Sequence, residues 1–161
     1  MQTPARMNRH RARILVMDHP QGTLALALEP ALAGHDVDFA RDAVDAIYHV
    51  DSARRPYDGV VCDLADGDLP GPELWAYLSI SRRDAADRMV FVASGPLGPA
   101  TQAFLARVPN SCIQLPVDPD VFVALARRRA AAHRSAWGAK LGKAPPDRQQ
   151  GAATREGVRR A

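Results

Sequence analysis

Five short apolar runs alternate with five stretches of helical spacing, and this alternation constrains the fold more than any other feature of the chain. The runs are Ala12–Met17, Asp36–Ala40, Tyr57–Cys62, Arg88–Ala93 and Ser111–Leu115. Strands joined through helices pair in parallel, and right-handed crossovers then favour a three-layer, doubly wound α/β sheet. A chain of 161 residues, 47% of them hydrophobic, suffices for one such domain and falls short of two.

Helix signals fill the intervals. In Gln21–Ala33, Leu24, Leu28 and Leu32 recur at helical spacing, Gly34 supplies a stop, and Pro30 predicts a kink or an early end. Asp42 is placed to cap a second helix with Val44, Ile47 and Val50 as its apolar stripe. Pro72 stands where a first helical residue is expected, with Leu74, Trp75 and Leu78 on the buried face. Ser94–Pro99 has the Gly and Pro content of a loop, and Thr101–Val108 reads as a short helix bounded by Pro109. Asp118 and Pro119 form an N-cap and first-turn pair that opens a last helix through Val121 and Leu125. Residues 1–11 form a basic extension, 12–133 the domain, and 134–161 a basic tail expected to be disordered.

Charge is unevenly divided. Between Ile14 and His133 ten basic residues face sixteen acids, about −6, whereas the whole chain carries +3. Basic character therefore belongs to the ends and does not mark the folded part as nucleic-acid-binding. Cys62 and Cys112 fall in the third and fifth runs, and two strand spacings, roughly 9 to 10 Å, are too wide for a disulfide. Both are expected as buried thiols in a reducing cytosol. No stretch approaches the roughly 20 apolar residues of a membrane span, and no signal-peptide core follows the Arg-rich start. A cytoplasmic protein is expected.

Candidate chemistry sits at two strand ends. The run Val60-Val61-Cys62 ends abruptly in Asp63, and Ile14-Leu15-Val16-Met17 ends in Asp18. Open α/β sheets build their sites at this carboxyl edge. An isolated Asp after a strand often only opens the next loop. A second acid at the end of the first strand argues for a site.

These residues carry a resemblance. Arg13-Ile14-Leu15-Val16-Met17-Asp18-His19-Pro20 resembles the first strand and acidic pocket of response-regulator receiver domains. Tyr57-Asp58-Gly59-Val60-Val61-Cys62-Asp63-Leu64, with Gly71, resembles their phosphoacceptor strand and loop. The likeness extends to the order of elements from about Arg11 to Ala132. It implies a five-stranded, flavodoxin-like receiver sandwich. It also implies that Asp63 is the phosphoacceptor, that Asp18, Asp63 and the backbone carbonyl of Ala65 bind Mg²⁺, and that Ser94 contacts the phosphate. The implied partners are a histidine kinase or phosphotransfer protein and a downstream protein, with a homodimer compatible. The module would be a signalling phosphoprotein of a two-component system and not an enzyme.

The sequence also departs from that pattern. The family has two adjacent acids after the first strand, whereas this chain has Met17-Asp18-His19, so one carboxylate is missing and Mg²⁺ is expected to bind weakly. His19 is either a loop residue or a ligand for a softer metal. Ala93 takes the usual Thr or Ser place, with Ser94 immediately after it. Leu115 precedes Pro116 where the family has Lys, which removes charge-assisted contacts worth about 1.5 to 3 kcal/mol each. Gly67 replaces a Pro, and Asp66 and Asp68 either form a solvated turn, stand in for the missing acid or repel phosphate.

Two functions follow from different classes. One is a single-domain response regulator, without an attached DNA-binding output domain, that is phosphorylated at Asp63 and changes its surface around the fourth helix and fifth strand. The other is a pseudo-receiver that binds proteins independently of phosphorylation. Asp18 and Asp63 favour the first; Ala93 and Leu115 favour the second. Seven Lys and Arg in the last 28 residues would give a salt-dependent attachment to nucleic acid or an acidic partner through the tail alone.

Overall fold

Central strands that are apolar on both faces must be covered on both faces. The computed structural model describes residues 11–18, 21–64, 70–116, 118, 120–122, 124, 125 and 128. Its strands are β1 (Arg13–Met17), β2 (Asp36–Ala40), β3 (Gly59–Asp63), β4 (Met89–Ala93) and β5 (Ser111–Gln114). They form one sheet, all pairs parallel, in the order β2-β1-β3-β4-β5. The helices are α1 (Thr23–Leu32), α2 (Ala43–Ser52), α3 (Pro70–Ser81), α4 (Arg83–Ala86) and α5 (Pro99–Leu105). The doubly wound α/β architecture expected from the alternation is observed. Strand order reverses between β1 and β3, which places a crevice at their carboxyl ends.

Alternate strand residues enter opposite layers. Leu15, Met17, Val60, Cys62, Met89 and Phe91 bury against Ala46 and Val50 of α2, Leu74 and Leu78 of α3 and Ala86 of α4. Ile14, Val16, Val61 and Val92 bury against Leu24, Leu28 and Leu32 of α1 and against Phe122. Each large side chain so buried contributes about 1.5 to 3 kcal/mol. Among the described residues, no helix is long and apolar enough to cross a membrane.

Several details differ from the sequence reading, each for a local reason. Helix α1 continues two residues past Pro30, and Gly34 adopts φ 80° after it. Asp42 caps α2 as expected, accepting the Asp45 N–H at 2.8 Å. Val44, however, is 77% exposed, and the buried stripe of α2 is Ala46 and Val50 with Ala43 and Ile47 partly covered. Helix α3 starts at Pro70 instead of Pro72, and α5 starts at Pro99, because proline fits the first turn where its missing N–H has no partner to lose. The one-turn helix α4 was not anticipated; four residues are too few to show a period. Trp75 is only half-buried, and its Nε1–H reaches Asn110 Oδ1 at 2.8 Å. Both cysteines are free, but Cys112 is exposed and not buried, since β5 is an edge strand whose residues alternate between half-buried and exposed. Asp118 does cap the last helical stretch, accepting the Asp120 N–H at 2.8 Å. Among the described residues of that stretch Phe122 is the buried one, while Val121 is 56% exposed.

A polar cluster closes the start of β1. Arg13 Nη2 donates to Asp38 Oδ2 at 3.0 Å, and the guanidinium lies 4.3 Å from the centre of the Tyr57 ring. The Tyr57 hydroxyl donates to the same Asp38 oxygen at 2.7 Å. That bond, aided by Arg13, holds the Asp38 carboxyl below its ordinary range, while burial and the Asp38 charge push the Tyr57 phenol up to about 12. Tyr57→Phe should therefore lose about 0.5 to 1 kcal/mol at pH 7, since Asp38 is partly solvated. The folded pKa of Asp38 is depressed, so its contribution is present above the unfolded value of 3.8 and disappears as pH falls through the folded value. Urea unfolding of both proteins should show the gap narrowing below pH 3.8.

Candidate functional site

Strand β3 stays apolar to its last position. Val60, Val61 and Cys62 are buried, and Asp63 is half-buried at the carboxyl edge. Its main chain remains in the ladder: Asp63 pairs with Val92, and the Leu64 N–H donates to the Val92 carbonyl at 2.8 Å. Residues paired across a sheet share a face, and faces alternate along a strand. Asp63 thus shares a side with Val92 and, one step past the end of β4, with Ser94. Ala93 is turned the other way and is buried.

The Ser94 hydroxyl donates to the Asp63 carboxylate, 3.2 Å from Oδ1 and 3.1 Å from Oδ2. Ser94 is exposed, so this bond is open to competing oxygens. Behind it, burial and the Asp63 charge push the Cys62 thiol far above its usual range, which makes it an inert core group. At the start of α3, a Cβ on Gly71 would stand 3.4 Å from Cys62 Cβ and 3.5 Å from the Asp63 carbonyl oxygen. These are ordinary van der Waals distances, so the start of α3 lies against the end of β3 with room for a small side chain.

The other candidate residues are placed differently. Asp18 follows β1 directly, and its Oδ2 accepts the N–H of Ala25, in the first turn of α1, at 3.0 Å. Leu115 donates its N–H to the Ala93 carbonyl at 2.9 Å and packs, half-buried, with Ile113 against the α1 layer. It offers no cation to Asp63. His19, Ala65, Asp66, Gly67 and Asp68 lie outside the described residues.

Mg²⁺ prefers six oxygen ligands in octahedral geometry. Among the described residues, no group of three His, Cys, Asp or Glu side chains is placed to hold a metal. Of the two strand-end carboxylates, Asp18 is engaged by a helix N–H. The described donors do not by themselves make a tight Mg²⁺ site.

No sequence-family model matches the chain, and no curated protein is similar to it in sequence. Solved structures are similar in fold. A CheY-like response regulator receiver domain protein from Methanospirillum hungatei JF-1 superposes with a TM-score of 0.61 at 16% identity, covering 78% of this chain and 98% of that one. A sensor protein from Polaromonas sp. JS666 gives 0.55 at 28% identity, over 76% and 98% of the two chains. The signal receiver domain of an HD domain-containing protein from Pseudomonas fluorescens Pf-5 gives 0.61 at 21%, over 78% and 98%. The fold is that of the CheY-like receiver domains of response regulators.

The position of Leu115 yields a prediction. A half-buried edge residue can be replaced by a lysine whose stem keeps some of the contact. Leu115→Lys should keep the fold with a loss of about 1 kcal/mol or less in urea unfolding. A loss of about 3 kcal/mol or more would instead mark Leu115 as a core residue.

Proposed function

We propose that the chain is a receiver-like signalling module of a phosphorelay, with Asp63 as the phosphoacceptor. The observation that carries this reading is the meeting, on a receiver fold, of the Asp63 carboxylate at the end of the central strand with the Ser94 hydroxyl. In the proposed step a carboxylate oxygen of Asp63 attacks the phosphorus of a phosphohistidine. The new P–O bond forms as the P–N bond breaks, and the electron pair leaves with the imidazole, which takes up a proton. Ser94 is placed to donate to a phosphoryl oxygen attached at Asp63. The module is a relay and not an enzyme. Its partners are a histidine kinase or phosphotransfer protein and a downstream protein in the cytoplasm. Mg²⁺ bound at this edge would be held weakly through Asp63 and would neutralise phosphoryl oxygens.

Leu115 favours a second reading. Its side chain packs on the α1 layer where a cation would have faced the phosphate, so phosphorylation would have little to pull on. In that case the chain is a pseudo-receiver that binds its partner in one state.

Intact-mass measurement after exposure to a phosphohistidine donor separates the two. The phosphoacceptor reading expects one phosphoryl adduct, absent from Asp63→Asn because an amide is a far poorer nucleophile. No adduct, with partner binding unchanged in Asp63→Asn, would establish the pseudo-receiver instead.

A further inference from the structure

Helix α1 begins without a capping side chain of its own. Gly22 is the N-cap, and its carbonyl accepts the first helical N–H, from Leu26 at 3.0 Å. Having no side chain, it cannot satisfy the N–H groups that the first turn leaves open. The Asp18 carboxylate does so in its place. Its Oδ2 accepts the Ala25 N–H at 3.0 Å, and Ala25 is the third helical residue, a usual target of a capping side chain.

The two residues share one volume. A Cβ built on Gly22 would lie 2.0 Å from Asp18 Oδ1 and 2.2 Å from both Cγ and Oδ2. The Gly22 backbone, at φ −72° and ψ 164°, is open to any residue. A side chain here would have to displace the Asp18 carboxylate, which occupies the place of the missing Cβ. There it also meets the positive end of the helix dipole.

We propose that Asp18 is a cap supplied to α1 from outside the helix and is not a cation ligand, with the absent side chain of Gly22 making room for it. For function this rests on the reading of Asp63 as acceptor, and it deepens that reading: Asp63 works without a second strand-end carboxylate. The structural claim stands apart from phosphorylation and is tested apart from it.

The test is thermal unfolding of the full chain. Gly22→Ala would push the carboxylate off the Ala25 N–H without replacing it, whereas Gly22→Ser would displace it and supply a capping oxygen of its own. Asp18→Ala and Gly22→Ala should each lower Tm by about 3 to 6 °C, and the double variant by no more than the worse single one, because both delete the same cap. Gly22→Ser should stay within about 2 °C of the native protein, as a local cap replaces a remote one. Millimolar Mg²⁺ should shift the native protein and Asp18→Ala equally. A Gly22→Ala variant as stable as the native protein, additive losses in the double variant, or an Mg²⁺ shift that Asp18→Ala abolishes would each overturn the proposal.

Discussion

A parallel ladder fixes which residues stand side by side, so the pairing of Asp63 with Val92 and of Ala93 with Gln114 decides what the carboxyl edge of the sheet contains. Val92 pairs with Ile113, and the same face continues to Ser94 beyond β4 and to Leu115 beyond β5. A slip of one residue would exchange the faces and bring Ala93 to the side of Asp63. The register is held by burial on both sides of β3 and β4, where Val61 and Val92 enter one layer and Cys62 and Phe91 the other. Site and core are thus specified by the same interaction.

The resulting environment of Asp63 is polar but not cationic among the described residues. It has a hydroxyl from Ser94, the apolar strand β4 beside it, and a buried thiol behind it. The second strand-end acid, Asp18, is engaged at the first turn of α1. Among the described residues a phosphoryl group on Asp63 would therefore find one neutral side-chain donor, from Ser94, where a fixed cation would have given a charge-assisted contact. Since a modification shifts a conformational equilibrium only through its differential interaction with the two states, a phosphoryl group held in this way would be expected to act locally.

Much of the fold was legible because it depends on pattern. The alternation of β-branched runs with helical spacing gave the parallel sheet, and Asp42, Gly34 and Asp118 gave the ends of elements through chemistry that acts within a few residues. What depends on neighbours distant in sequence was not legible. Val44 and Val121 are as apolar as Val50 and Phe122, yet only the latter two face a covered layer. Cys112 lies in a strand, but whether a strand is central or at the edge is a property of the sheet. Ser94 was reachable by counting strand ends, and the register places it on the same face as Asp63. Asp18 and Asp63 read as a matched pair of acids; in the fold they have different neighbours, and the glycine that distinguishes them, Gly22, carries no signal beyond the lack of a capping side chain.

The central claim, that Asp63 is an acceptor whose surroundings answer only locally, is tested most directly by amide NMR of the full chain before and after exposure to a small phosphoryl donor. The account predicts shifts at Asp63, Leu64 and Ser94 and at their partners on β4, with Leu115 and α5 unmoved. No shift at Ser94, or shifts that spread through Leu115 into α5, would contradict it.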